Sequence, residues 1–202
     1  MKNIKTERLI VAAILFTVFC GFFCAIPIHS DSGIYGKVVR LHVIANSDSE
    51  EDQANKLLVR DAILGTVSKI TENCADRAEA EAVISENTDA IRELAETTLR
   101  GLGCDMPVTV TVSEEKYPTR EYEDFRLPAG EYCSLRVMIG EAAGKNWWCV
   151  LFPPLCTSAA SAKDELVSAG FTPSQVRIIT DTESPRYVLK FRILEFFGGL
   201  FG

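Results

Sequence analysis

The segment "LIVAAILFTVFCGFFCAIPI", Leu9 to Ile28, contains no charged residue and comes after Lys2, Lys5 and Arg8. An uninterrupted apolar run of about 20 residues is long enough to cross a bilayer, and a basic flank before such a run also describes a secretory signal. In either case the positive charges keep the N-terminus on the cytoplasmic side and send the rest of the chain outward. Ser30 is a small residue at which a signal peptidase could cut, so a cleaved signal and a retained anchor both stay open. Neither "TVFC" nor "GFFC" places the small residue before cysteine that a lipoprotein signal needs, and Cys20 and Cys24 read as apolar membrane residues. The expected organisation is a signal peptide or membrane anchor over 1–30 and one exported domain over 31–202.

After residue 30 the chain carries 18 Lys and Arg against 27 Asp and Glu, a net charge of −9. Such a surface offers no basic field for a phosphate backbone, and nucleic acid is excluded as a partner. With 47% hydrophobic and 24% charged residues, the whole chain has the composition of a folded protein. Five cysteines remain in the exported part: Cys74, Cys104, Cys133, Cys149 and Cys156. Cys74 and Cys104 flank a predicted helix of about 24 residues, roughly 36 Å if straight, too far for a bridge. Cys149 and Cys156, on either side of Pro153-Pro154, are the better disulfide pair, in keeping with an oxidising compartment.

The period-two pattern of "VVRLHVIA" predicts a strand over Val38–Ala45 with Arg40 and His42 on its more polar face. "NSDSEED" then predicts a helix from about Ser49 to Thr71, with Ser47 as cap, Glu50 completing a capping box, and acids suiting the helix dipole. The apolar positions of this helix wrap most of its circumference, which predicts packing on several sides, with Gln53, Lys56 and Arg60 as a narrow polar strip. A second helix is expected from about Arg77 to Leu99, ended by "GLG", its apolar side including Leu102. A strand comes next in "VTVTVS" from Val108, with Val108, Val110 and Val112 inward. A 17-residue loop from Glu114 to Gly130 succeeds it, longer than ordinary connections and so functional or mobile. "YCSLRVMIG" and "WWCVLF" predict two more strands paired as a hairpin, the second central and stopped by Pro153-Pro154. A short helix near Ala160–Ala169, a strand near Val176–Thr180 and a terminal strand "RYVLKFRIL" complete an α+β domain with a mixed or antiparallel sheet and two main helices.

Chemistry has few candidates here. With the signal removed, His42 is the sole histidine, so any Ser-His or Cys-His mechanism must use it. Ser47 and Asp48 near it are explained as cap and first-turn acid. No cysteine stands at a predicted helix N-terminus that would favour thiolate. "NSDSEED" offers alternating oxygen ligands, but Glu51 occupies the glycine position and Leu57 the bidentate glutamate position of a calcium loop, which fails as an EF-hand. Zinc spacing, a phosphate loop and a nucleophile elbow are missing too. These observations predict a non-enzymatic domain without catalytic or metal-binding residues, cofactor or small-molecule substrate.

Two stretches are more specific: "RLHVIANSDSEEDQANKLLVRDAIL" and "LPAGEYCSLRVMIGEAAGKNWWCVLFPPLC". Their motifs R-x-H-V-I-A-N-S-D-S, V-R-D, L-P-A-G-x-Y, G-x-N-W-W-C and F-P-P-L-C, with the N-terminal apolar run, resemble the stage II sporulation protein R family. The resemblance implies a signal made in the forespore, exported into the intermembrane space, and triggering a membrane-embedded aspartic protease that processes the pro-form of sporulation sigma factor E. Partner contact is then expected from the strand-turn-helix, through Arg40, His42, Asn46, Ser47, Asp48, Asp52, Gln53, Lys56 and Arg60, and from the Glu114–Gly130 loop. A solvated face or a buried network linking strand to helix is the competing reading of the same residues. The competing functions are an exported hydrolase using His42 with a Ser or Cys, and a structural envelope-binding domain.

Overall fold

A computed structural model of the chain describes residues 11–17, 32–156 and 161–181. The expected terminal strand and most of the N-terminal apolar run lie outside them. Among the described residues no helix is long and apolar enough to cross a membrane.

A short helix α1 (Ser32–Tyr35) leads into β1 (Val39–Ile44). Three helices come next, α2 (Glu50–Ile70), α3 (Arg77–Glu86) and α4 (Thr88–Gly101). Then come β2 (Val108–Tyr117), the two-residue strands β3 (Arg120–Glu121) and β4 (Arg126–Leu127), β5 (Gly130–Ile139) and β6 (Asn146–Phe152). Helices α5 (Ala162–Ser168) and α6 (Pro173–Thr180) close the described part. The architecture is α+β with a mixed sheet, as the patterning predicts.

The sheet order is β2-β5-β1-β6. β1 runs parallel to β5 and antiparallel to β6, so it is hydrogen-bonded on both sides and all six of its residues are buried. This corrects the expected hairpin: β5 and β6 are not neighbours, and among the described strands β6 lies at the edge. The apolar run of β6 is instead explained by packing, with Cys149 to Phe152 buried and Trp147 38% exposed.

One face of the sheet carries Val39, Leu41, Val43, Leu135 and Val137 against Val59, Ile63 and Val67 of α2, Ala80 and Ile84 of α3, and Ile91, Ala95 and Leu99 of α4. The other face carries Val38, Tyr117, Tyr132 and Val150 beneath α1, the β3–β4 hairpin, α5 and α6. Two apolar layers of this kind are what a strand buried on both faces requires.

Several boundaries differ from expectation for identifiable reasons. Helix α2 buries a single stripe, Asp52, Asn55, Lys56, Val59, Ile63 and Val67, and leaves Leu58 46% exposed, rather than packing on several sides. Its cap is Ser49, whose Oγ accepts from Asp52 N at 3.1 Å, not Ser47. The expected second helix is two, broken at Asn87, whose side chain donates back to Val83 O at 2.8 Å in the way short polar side chains compete with helix geometry. Leu102 lies beyond the helical stripe and is 44% exposed. β2 continues through Tyr117, and the remainder of the expected loop contains the β3–β4 pair. The expected strand near Val176 is α6: Pro173 opens it, Thr172 and Gln175 form a reciprocal capping box, and Val176 and Ile179 are buried three residues apart.

The layer arrangement makes a contrast that chemical denaturation can read. Leu41→Ala, at a fully buried site on β1, should cost about 2–5 kcal/mol. Leu58→Ala, on the open side of α2, should stay within about 0.5 kcal/mol; a large loss there would contradict the single-stripe packing.

Candidate functional site

Because β5 and β6 flank β1, the chain between them must arch over the end of the strand that separates them. The residues that hold this arch come from the turn after β1. Ala143 N donates to Asn46 O at 3.0 Å and Gly144 N to Ala45 O at 2.9 Å. Glu141 N donates to Asn46 Oδ1 at 3.0 Å and Lys145 N to Asp48 Oδ1 at 2.7 Å. Two glycines permit the approach. Gly140 has φ +56°, and a Cβ there would strike Asn46 Oδ1; one at Gly144 would strike Ser47 O.

Asp52 braces this turn from α2. Its Oδ2 accepts from Asn46 Nδ2 at 2.9 Å and Ser47 Oγ at 2.5 Å. The hydrogen bonds from Ser47 and Asn46 hold its carboxyl below the usual range, against the opposing effect of burial. Gln53 Nε2 donates to Ser47 O at 2.8 Å, and Lys56 Nζ donates to Gln53 Oε1 at 2.6 Å and Lys145 O at 2.9 Å. Lys56 is therefore a buried tie, 4% exposed, and not part of a solvated strip; desolvation pulls its pKa down. Arg60 lies further along, its guanidinium paired with Asp61 at 2.6 Å and 4.3 Å from the centre of the Trp147 ring.

Arg40 and His42 project from β1 to the other face, into a cluster that the sequence pattern does not assemble. Arg40 is fully buried, its guanidinium 3.9 Å from the Tyr117 ring centre and 5.0 Å from that of Tyr132, with Nη2 donating to Tyr122 Oη at 2.7 Å. His42 is 4% exposed and stacked on Trp148, ring centres 3.7 Å apart. Its Nδ1 donates to Glu115 Oε1 at 2.8 Å, and its Nε2 lies 2.9 Å from Asn146 Oδ1. Glu115 Oε2 accepts from Ser134 Oγ at 2.9 Å, which leaves Tyr117 Oη to donate to Ser134 Oγ at 2.7 Å. One polar chain thus runs from β6 through β1 to β2 and β5: Asn146, His42, Glu115, Ser134, Tyr117. Burial raises the Tyr117 and Tyr122 phenols above their ordinary values, Tyr117 the further, with the nearby Arg40 opposing it at both.

The structure therefore divides the expected contact set in three. Asn46, Ser47, Asp48, Asp52, Gln53 and Lys56 share the arch; Arg40 and His42 belong to the face beyond it; Arg60 stands apart beside Trp147. Sequence reasoning did not single out Ser134, Asn146 or Trp148, and it placed Glu115, Tyr117 and Tyr122 only within the expected Glu114–Gly130 contact loop. Glu115 and Tyr117 share the parity of Ser113 in "VTVTVSEEKY", a continued alternation that could have placed them.

The family model for stage II sporulation protein R matches residues 35–162, from the end of α1 through the whole sheet. The chain belongs to the stage II sporulation protein R family. Stage II sporulation protein R of Bacillus subtilis (strain 168) is 36% identical over 120 residues, covering 59% of this chain and 54% of the relative. The match thus spans little more than half of that relative's length. No solved structure matches.

Both motif stretches of the family resemblance end in this architecture: "NSDS" supplies the turn that the "GEAAGKN" arch closes upon. Elsewhere, Cys149 and Cys156 stand paired across the turn after β6, with Cα atoms 6.4 Å apart, inside the span of disulfides. Cys74, Cys104 and Cys133 are free, and burial pushes the Cys133 thiol up to about 11, Arg77 opposing it. Among the described residues no three His, Cys, Asp or Glu side chains group as a metal site.

The Asp52 brace has a pH signature. A carboxyl whose folded pKa is depressed stabilises the fold above its unfolded pKa and loses that contribution as pH falls through the folded one. Asp52→Asn should destabilise the protein by about 1–3 kcal/mol near neutrality and less in acid, so its denaturation curve converges on the parent's as pH drops below about 4. A constant offset across that range would remove Asp52 as the titrating brace.

Proposed function

We infer that this protein is an intercompartmental sporulation signal, exported from the forespore into the intermembrane space, which activates a membrane-embedded aspartic protease and so leads to processing of the pro-form of sporulation sigma factor E. Family membership over residues 35–162 is the observation that carries this reading. The basic-flanked apolar run from Leu9 to Ile28 and the absence of a basic field in the exported part support it. Activation by binding demands differential affinity, since a ligand shifts its receptor only by holding the active state more tightly.

The His42–Glu115 pair gives the enzymatic reading its one favourable observation, a histidine oriented by a carboxylate. Against it, Nε2 faces the Asn146 amide, and Ser134 donates to Glu115 rather than to the ring. A hydroxyl nucleophile would have to sit against Nε2, the ring nitrogen not turned to Glu115, and that position is held by Asn146 Oδ1. The pair accordingly serves the fold of a binding protein.

Co-expression of the exported form with the candidate protease and its sigma substrate tests the reading. Processing should depend on the signal protein. It should survive in folded Arg60→Ala or Asp48→Ala variants to the extent that their melting temperatures do, unless the residue touches the protease. Unchanged processing without the signal protein would overturn the activation reading.

A further inference from the structure

Arg40 is a buried cation with too few acceptors. Among the described residues its Nε and Nη1 have no hydrogen-bond partner, and Tyr122 supplies the sole side-chain acceptor, at Nη2. Arg120 on β3 lies over Trp148, 5.2 Å from the centre of its ring, with its own Nε buried and unpartnered. Arg136, paired in register with His42, is a third guanidinium whose buried Nε has no partner. None of the ion pairs among the described residues uses Arg40, Arg120 or Arg136. Glu115 is the carboxylate of the polar chain, and its two oxygens are taken by His42 and Ser134.

What the site leaves unmet is hydrogen bonding. Burying a charge costs several kcal/mol even after relaxation, and desolvated cation–π contacts return about 2 kcal/mol each without supplying an acceptor to the guanidinium nitrogens. Arg40 has such contacts with Tyr117 and Tyr132 and one neutral hydroxyl, which leaves a site of unfilled guanidinium donors between β1 and the β3–β4 hairpin. Arg120, Tyr122 and Trp148 are only partly buried, and they form its outer edge.

We propose that Arg40 and Arg120 form a receptor for one carboxylate, an acidic side chain of a partner polypeptide, entering between Trp148 and Tyr122. Orphaned guanidinium nitrogens match carboxylate oxygens in charge and hydrogen-bonding type, and Tyr122 Oη marks an acceptor position at Arg40. The positive charges of Arg40 and Arg120 both act on the Tyr122 phenol, consistent with their converging there. The proposal rests on the reading of the protein as one that works by binding, and deepens it by naming the chemistry of the contact.

Calorimetric titration of the full-length protein in mild detergent, with no protease present, tests this site separately from activation. The probes are a blocked tetrapeptide with one glutamate and its glutamine counterpart, at constant ionic strength. The glutamate peptide should bind saturably and the glutamine peptide should not. Arg120→Gln should weaken the glutamate peptide by about ten-fold or more, the loss of a charge-assisted hydrogen bond. Arg40→Met should abolish binding where its circular dichroism matches the parent; Arg120→Gln, nearer the surface, decides the matter if Arg40→Met does not fold. Equal heats for both peptides, or undiminished binding in Arg120→Gln, would overturn the proposal while leaving protease activation untouched.

Discussion

Strand β1 has hydrogen-bonded neighbours on both sides and packed layers on both faces, and the rest of the molecule is arranged around that fact. Its odd-numbered residues, Val39, Leu41 and Val43, are absorbed by the helical layer. Its even-numbered residues include Arg40 and His42, which must find partners in a place from which water is excluded. They do so by recruiting side chains from every other strand of the sheet: Trp148 and Asn146 from β6, Ser134 and Tyr132 from β5, Tyr117 and Glu115 from β2. A central strand with an arginine and a histidine on one face thereby dictates an aromatic and polar layer over it, since buried polar groups left unpaired are costly.

The same centrality explains the turn beyond the strand. With β1 inserted between β5 and β6, the connection from Gly140 to Lys145 must cross its end, and the backbone groups of that crossing need acceptors. Asn46 and Asp48 provide them, Asp52 fixes Asn46 and Ser47, and Lys56 caps Lys145 O. The two motif-rich stretches of the sequence are thus two halves of one junction. Its polar residues are occupied within the fold, whereas the arginines above the sheet retain unused donors, and that difference separates scaffold from surface more sharply than residue type does.

Much of the fold was legible in local pattern. The alternation around Leu41, the acids and serines before α2 and the proline stop after Phe152 are set by neighbours a few residues away. What escaped depended on long-range pairing. Sequence order made β5 and β6 look like a hairpin, because the insertion of β1 between them leaves no trace in the connecting residues. Position 42 was legible only as part of the more polar face of the strand, because a histidine among aliphatic residues gives no sign that Glu115, 73 positions away, will meet it. Val176–Thr180 read as a strand, although Thr172, Pro173 and Gln175 already spelled a helix start. Ser47 and Ser49 are equally good caps on composition, and Asp52 decides between them by holding Ser47 in the arch.

If the polar layer is one network hung on β1, its members must be energetically coupled and not merely adjacent. A double-mutant cycle on His42→Leu and Glu115→Leu, with stability measured by urea unfolding, asks this directly. The network predicts a coupling of about 1.5–3 kcal/mol, the double variant being far less damaged than the sum of the singles because each single leaves a buried polar partner unsatisfied. Additivity within about 0.5 kcal/mol would contradict it and reduce the layer to independent contacts.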